Sequence, residues 1–118
     1  MSKRGDREFL LDILEACRRI ERYVNNLNYD YFQKNYEKQD AVIRNIEIIG
    51  EAAKNVSTKL KNKYTEIDWK KIAGMRDKLI HFYFGIKLEI VWVVVQNEIP
   101  LLKRKIFKIL KELEEIGK

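Results

Sequence analysis

Apolar residues recur every three or four positions along most of this chain, which is the spacing of helices that each bury one face. Phe9, Leu10, Ile13, Leu14, Cys17, Ile20, Val24 and Leu27 predict a first helix, capped by Asp6 and ending near residues 25–28. Tyr29 to Tyr36 is aromatic and irregular and reads as a connector with one short helical turn. Val42, Ile46, Ile49, Ala53, Val56 and Leu60 form a narrow stripe that predicts a second helix from about Lys38 to Leu60. Arg44, Glu47 and Glu51 fall opposite that stripe, where they read as a solvated ion-pair row. Residues 59–66 make a turn, after which Thr65 or Asp68 caps a third helix that Gly85 ends. The run Val91 to Val95 favours a strand locally. A helix wins there, because Leu88, Trp92, Val95, Ile99, Leu102, Ile106, Leu110 and Leu113 keep one stripe in phase, with a kink expected at Pro100. The expected fold is all-α: an antiparallel bundle of four principal helices, the last long and kinked.

The third helix carries the most unusual polar residues. On a helical projection Trp69, Ile72, Ala73, Arg76, Leu79, Ile80 and Tyr83 share one side, so Arg76 is expected within an apolar stripe. A guanidinium keeps its charge and is costly to bury alone, so that place calls for an anionic partner, a subunit boundary or a cleft. His81 is the only histidine and lies off the stripe, on a flank it shares with Asp77 and Gly74. Asp77 stands one turn before His81, where a carboxylate can hold one ring nitrogen and leave the other for chemistry. Gly74 leaves the flank bare, so that a backbone or phosphate can come close.

The 118 residues suffice for one domain spanning 1–118, with the first five or so residues expected to be disordered. Five glycines and one proline argue against an internal linker. The lone Cys17 excludes an internal disulfide and reads as a buried thiol. The longest apolar run, residues 90–95, is too short to span a bilayer, and the polar N-terminus is unlike a signal peptide, so a cytoplasmic protein is expected. The net charge of +6 is uneven. Lys and Arg outnumber Asp and Glu by six to two over residues 54–71 and by six to three over 101–118. Such segments favour a polyanion such as RNA, but the signal is weak, because on charge alone a merely solvated face is the commoner explanation. One histidine with scattered carboxylates offers no recognised metal-ligand spacing, so neither a metal nor a cofactor is expected.

The sequence Arg76-x4-His81-x-Tyr83 resembles the signature of the HEPN superfamily in the form carried by HepT-like ribonuclease toxins of HepT/MntA toxin–antitoxin pairs. The resemblance extends over nearly the whole chain. It takes in Asp40-Ala41-Val42 leading into Arg44, then Gly50-Glu51-Ala52, then Trp69 ahead of Gly74-Met75-Arg76, and finally Trp92 and Pro100. Lys87 departs from it, at a position where relatives often have Asp. The resemblance implies a helical-bundle homodimer that cleaves RNA without a metal, with Arg76 and His81 as the catalytic pair. It further implies that Tyr83 receives AMP from an MntA-like nucleotidyltransferase antitoxin, which silences the toxin.

The residue types suit that chemistry. Cleavage by attack of the ribose 2′-hydroxyl needs one group to take a proton, one to give a proton and a cation to meet charge on the phosphorane. Histidine suits either transfer and arginine suits the charge. One histidine cannot be base and acid at once, whereas a two-fold dimer that joins two Arg76/His81 sets in one cleft supplies both. Two other readings compete. The chain could be a non-catalytic HEPN module that binds and assists a nucleotidyltransferase, or a helical interaction protein in which Arg76 belongs to an interface ion pair.

Overall fold

The computed structural model describes residues 4–84 and 87–116, and the side chains of all of these except 79–84 and 115–116. The helices are α1 (Asp6–Val24), α2 (Tyr29–Lys34), α3 (Tyr36–Asn55), α4 (Thr58–Lys63), α5 (Trp69–Phe84), α6 (Leu88–Val93) and α7 (Ile99–Ile116), with a π-helical turn, Val94–Glu98, joining the last two. No strand occurs among the described residues. The all-α bundle of four principal helices is therefore as the periodicity requires, with α1, α3, α5 and the α6–α7 rod as its members. Central α3 packs against α1 on one side and α5 on the other, α1 also packs against α7, and α5 meets α6. The core runs between them through Leu10, Ile13, Ile20, Ile46, Ile49, Ile99, Ile106 and Ile109, each fully buried. Side chains of this size each contribute about 1.5–3 kcal/mol when removed from water.

Two helix ends differ from the sequence-based expectation, and one interaction links them. Asp6 does not cap α1; Gly5 takes that place, and its N–H donates to Glu8 Oε2 at 3.0 Å. The Asp6 carboxylate instead accepts from the Ser57 N–H at 2.7 Å and the Ser57 hydroxyl at 2.5 Å. Ser57 lies where the expected second helix breaks. That helix runs from Tyr36 to Asn55 rather than from Lys38 to Leu60, because Val56 is extended and α4 restarts with Ser57 as its cap. The apolar stripe concealed the break, since Val56 and Leu60 on either side of it are both buried.

The aromatic connector divides its residues between two environments. Phe32 is fully buried with its ring centroid 5.0 Å from that of Trp92, and Tyr29 lies 6.1 Å from the same indole. Tyr31 and Tyr36 stay exposed. Gln39, buried on α3, donates to the carbonyls of Phe32 and Gln33 and so satisfies the end of α2. At the other end of the bundle Asp68 is the cap of α5, accepting from the Lys71 N–H at 3.0 Å. Gly85, expected to end α5, lies outside the described residues.

Packing decides the last element against local strand preference. Val91, Val95, Ile99, Leu102, Ile106 and Ile109 are all buried on one continuous face. The irregularity expected at Pro100 takes the form of the π turn just before it, where the Ile99 N–H bonds the Val94 carbonyl five residues back. Proline lacks an N–H, and its ring would press on the carbonyl of Gln96 in a regular helix. The wider turn relieves that contact within a rod that stays helical. No helix of the described residues is long and apolar enough to cross a membrane.

Candidate active site

The site begins with a glycine. A Cβ on Gly50 of α3 would meet the Arg76 Cβ at 3.3 Å and the carbonyl oxygens of Ala73 and Ile72 at 3.5 Å. The absence of a side chain therefore lets α3 and α5 approach at the root of Arg76. One residue on, Glu51 reaches the guanidinium, with its Oε2 3.9 Å from Arg76 Nη1. The other oxygen of Glu51 accepts from Asn55 Nδ2 at 3.5 Å, and the same amide donates to the Glu51 backbone carbonyl at 2.8 Å.

The Arg76 side chain is half exposed, while Trp69 and Met75 of α5 are buried and Ile72 packs against the core. Of the other residues expected on its side, the side chains of Leu79, Ile80 and Tyr83 lie outside the described residues. The expected anionic partner and cleft are both present. Arg76 lines an open cleft of about 360 Å³ between α1, α3 and α5, together with Arg4, Phe9, Asp12, Arg44, Glu47 and Glu51.

The row opposite the apolar stripe of α3 keeps the solvated, loosely paired character expected of it and also borders this cleft. Arg44, Glu47 and Glu51 all line the cleft that Arg76 enters. Periodicity alone ranked these residues as ordinary surface; the one sequence signal, for Arg44 and Glu51 but not for Glu47, was their place within the stretches that resemble HEPN proteins. The contacts inside the cleft differ in tightness. Arg4 lies 2.6 Å from Asp12 and also donates to the Glu8 carbonyl, whereas Arg44 stands 3.8 Å from Glu47 and Arg76 3.9 Å from Glu51.

The remaining candidates lie on α5. Asp77 and Lys78 are exposed, and a Cβ on Gly74 would meet nothing within 4 Å. The expected contact between Asp77 and His81, and the roles assigned to His81 and Tyr83, concern side chains outside the described residues. The backbone of α5 is helical through Phe84. Position 81 therefore lies about 7.5 Å along the axis from position 76, and position 83 about 10.5 Å along and within about 20° around it. Among the described residues no three His, Cys, Asp or Glu side chains gather as a metal site would require.

Comparison with known proteins places this chain in a family. A family model described as HepT-like, "Ribonuclease HepT-like", matches residues 13–109. The chain belongs to the HepT-like ribonuclease family. Among its relatives, "Putative RNase MJ0127" of Methanocaldococcus jannaschii is 46% identical over 97% of this chain and 94% of its own length. "Probable ribonuclease HepT" of Thermococcus cleftensis is 43% identical over 92% of this chain and 99% of its own length. "Putative RNase TTE0752" of Caldanaerobacter subterraneus is 40% identical over 90% and 95% respectively. No solved structure matches the chain. The matched span runs from the middle of α1 into α7. It thus contains every cleft residue of the HepT-like chain except Arg4, Phe9 and Asp12.

Proposed function

We propose that this protein is an endoribonuclease that cleaves RNA without a metal, with Arg76 and His81 as its catalytic residues. The observation that carries the reading is Arg76 half exposed in an open cleft of a HepT-like ribonuclease chain, its base fitted against Gly50 and its guanidinium loosely held by Glu51. A guanidinium so placed can exchange its carboxylate for a phosphate and meet the charge that develops on the phosphorane. His81, one to two turns further along α5, supplies proton transfer to or from the ribose 2′-hydroxyl and the leaving 5′-oxygen. Asp77 and Gly74 support it, by orienting the imidazole and by leaving room for the backbone of the RNA.

A homodimer follows from the single histidine. Two copies related by a two-fold axis bring two Arg76/His81 sets into one cleft, so that one imidazole acts as base while the other acts as acid. In cells the protein acts as the toxin of a toxin–antitoxin pair. A nucleotidyltransferase antitoxin silences it by transferring AMP to Tyr83, whose position on α5 is two turns from Arg76 on the same side. The attached phosphodiester can pair with Arg76 while the adenosine obstructs the cleft.

Mass analysis of the RNA ends tests the reaction. Attack by the 2′-hydroxyl leaves a 2′,3′-cyclic phosphate and a 5′-hydroxyl, and products with 5′-phosphates would overturn the mechanism. Mixed dimers test the shared cleft: a wild-type subunit paired with an Arg76→Ala subunit should retain far less than half of the activity. Intact mass after co-expression with the antitoxin should rise by whole AMP units and stay unchanged for Tyr83→Phe.

A further inference from the structure

We propose that Arg44 is a second phosphate-binding residue of the cleft, taking the RNA phosphate that flanks the one held by Arg76. The inference rests on the RNA-cleaving reading above and extends its substrate from one phosphodiester to a strand. It begins with three arginines that line one cleft and are held to different degrees. Arg4 is committed, at 2.6 Å from Asp12 with a further bond to a backbone carbonyl. Arg44 and Arg76 are not, since their carboxylates stand at 3.8 and 3.9 Å, beyond hydrogen-bond length.

Exposure points the same way. The Arg44 side chain is 71% exposed and that of Arg76 is 50% exposed, so water screens both pairs and each contributes only about 0–1 kcal/mol. A phosphate offers either guanidinium two parallel charge-assisted hydrogen bonds, which are roughly twice as strong as neutral ones. Exchange of carboxylate for phosphate is therefore favourable at both sites, whereas at Arg4 it would break a well-formed pair. Glu47 and Glu51 lie one turn apart on α3, and each is the resident counter-ion of one of these two arginines. In the free protein they balance the charge of the cleft, and on binding RNA they give up the guanidiniums.

Register sets which phosphates are involved. Arg44 and Glu51 lie seven residues apart on the continuous helix α3, so they share a side about 10 Å apart along the axis. Arg76 meets α3 at the level of Gly50 and Glu51. Two flexible arginine side chains rooted that far apart can grip neighbouring phosphates of one strand.

The test measures binding of a short single-stranded RNA whose 2′-hydroxyls are methylated, so that it binds without being cleaved, across a range of salt concentrations. Losing one phosphate contact should lower the slope of log K against log salt by about 0.7 for a single strand. Arg44→Ala should show that loss with weaker binding, Arg44→Lys should keep the slope, and Arg19→Ala should leave both slope and affinity unchanged. Arg19 is also half exposed and paired with a glutamate, but it lies outside the cleft. The second arm is cleavage of a dinucleoside monophosphate, which has no flanking phosphate. Arg44→Ala should cleave it at the wild-type rate while losing about tenfold or more in kcat/KM on a longer RNA. Equal losses on both substrates, or an unchanged salt slope, would overturn the assignment. A wild-type protein that cleaves neither substrate would instead refute the ribonuclease reading beneath it.

Discussion

Replacing Gly50 tests the construction of the cleft without touching a charged group. In Gly50→Ala the new Cβ lies 3.3 Å from the Arg76 Cβ and 3.5 Å from two backbone oxygens of α5. The first distance asks α5 to move by a few tenths of an ångström, and the others are ordinary contacts. Alanine also favours the helix interior over glycine by about 1 kcal/mol. The two effects oppose, so Gly50→Ala should stay within about 1 kcal/mol of wild type. Gly50→Val places two further methyl groups in the same contact, against carbonyls that cannot rotate away. Overpacking of this kind costs about 1–3 kcal/mol. With a urea slope of roughly 1–3 kcal/mol/M, the unfolding midpoint should fall by about 1 M. Relief of the clash carries α5 outward at Arg76, and a displacement near 1 Å at a catalytic group costs on the order of a hundredfold in rate. Urea unfolding and RNA cleavage of the two variants supply the readouts. A Gly50→Val protein with wild-type midpoint and wild-type cleavage would show that the close approach of α3 and α5 does not set the site.

Other expectations rest on separate contacts. Asp6→Ala removes both hydrogen bonds to Ser57 and should lower stability by about 1–3 kcal/mol with little effect on cleavage, as chemical denaturation and kcat would show. Burial, with the nearby Glu21 carboxylate adding and Lys103 opposing, pushes the Cys17 thiol from 9.0 up to about 12. The thiol stays protonated in the folded chain while the unfolded chain ionises first. Its contribution to stability is thus complete below pH about 9 and is lost progressively between about 9 and about 12. Comparing the alkaline stability profile of Cys17→Val with that of wild type isolates this loss, and iodoacetamide should label Cys17 only on unfolding. Light scattering at micromolar concentration should report a dimer, and a fully active monomer would refute the shared cleft.

Much of the architecture was legible because apolar periodicity reports burial directly. The stripe from Leu88 to Leu113 predicted a helix through Val91–Val95, and the buried face of α7 explains why strand preference lost there. The same signal hid the break at Val56, since a chain that stops and restarts with its buried face unchanged keeps its period. It also left Met75 off the predicted face of α5, although that side chain is buried. A projection knows the angle around a helix but not where the neighbouring helix sits. The cleft was legible in its anchor and not in its walls: Arg76 stood out as a charge among apolar residues, whereas Arg44, Glu47 and Glu51 look like any exposed row until α5 is laid beside them. Gly50 carried no signal of its own either, because its meaning is a distance to another helix.

The central claim is tested most directly by incubating purified protein with a fluorescent single-stranded RNA in excess EDTA, beside Arg76→Ala and His81→Ala proteins of matched unfolding midpoint. Loss of an acid/base group or of a transition-state charge costs on the order of a hundredfold or more. The account predicts cleavage by wild type that EDTA does not slow, and a loss of that size in each variant. Wild-type cleavage that persists in either variant, or that vanishes with EDTA and returns with added divalent metal, would contradict it.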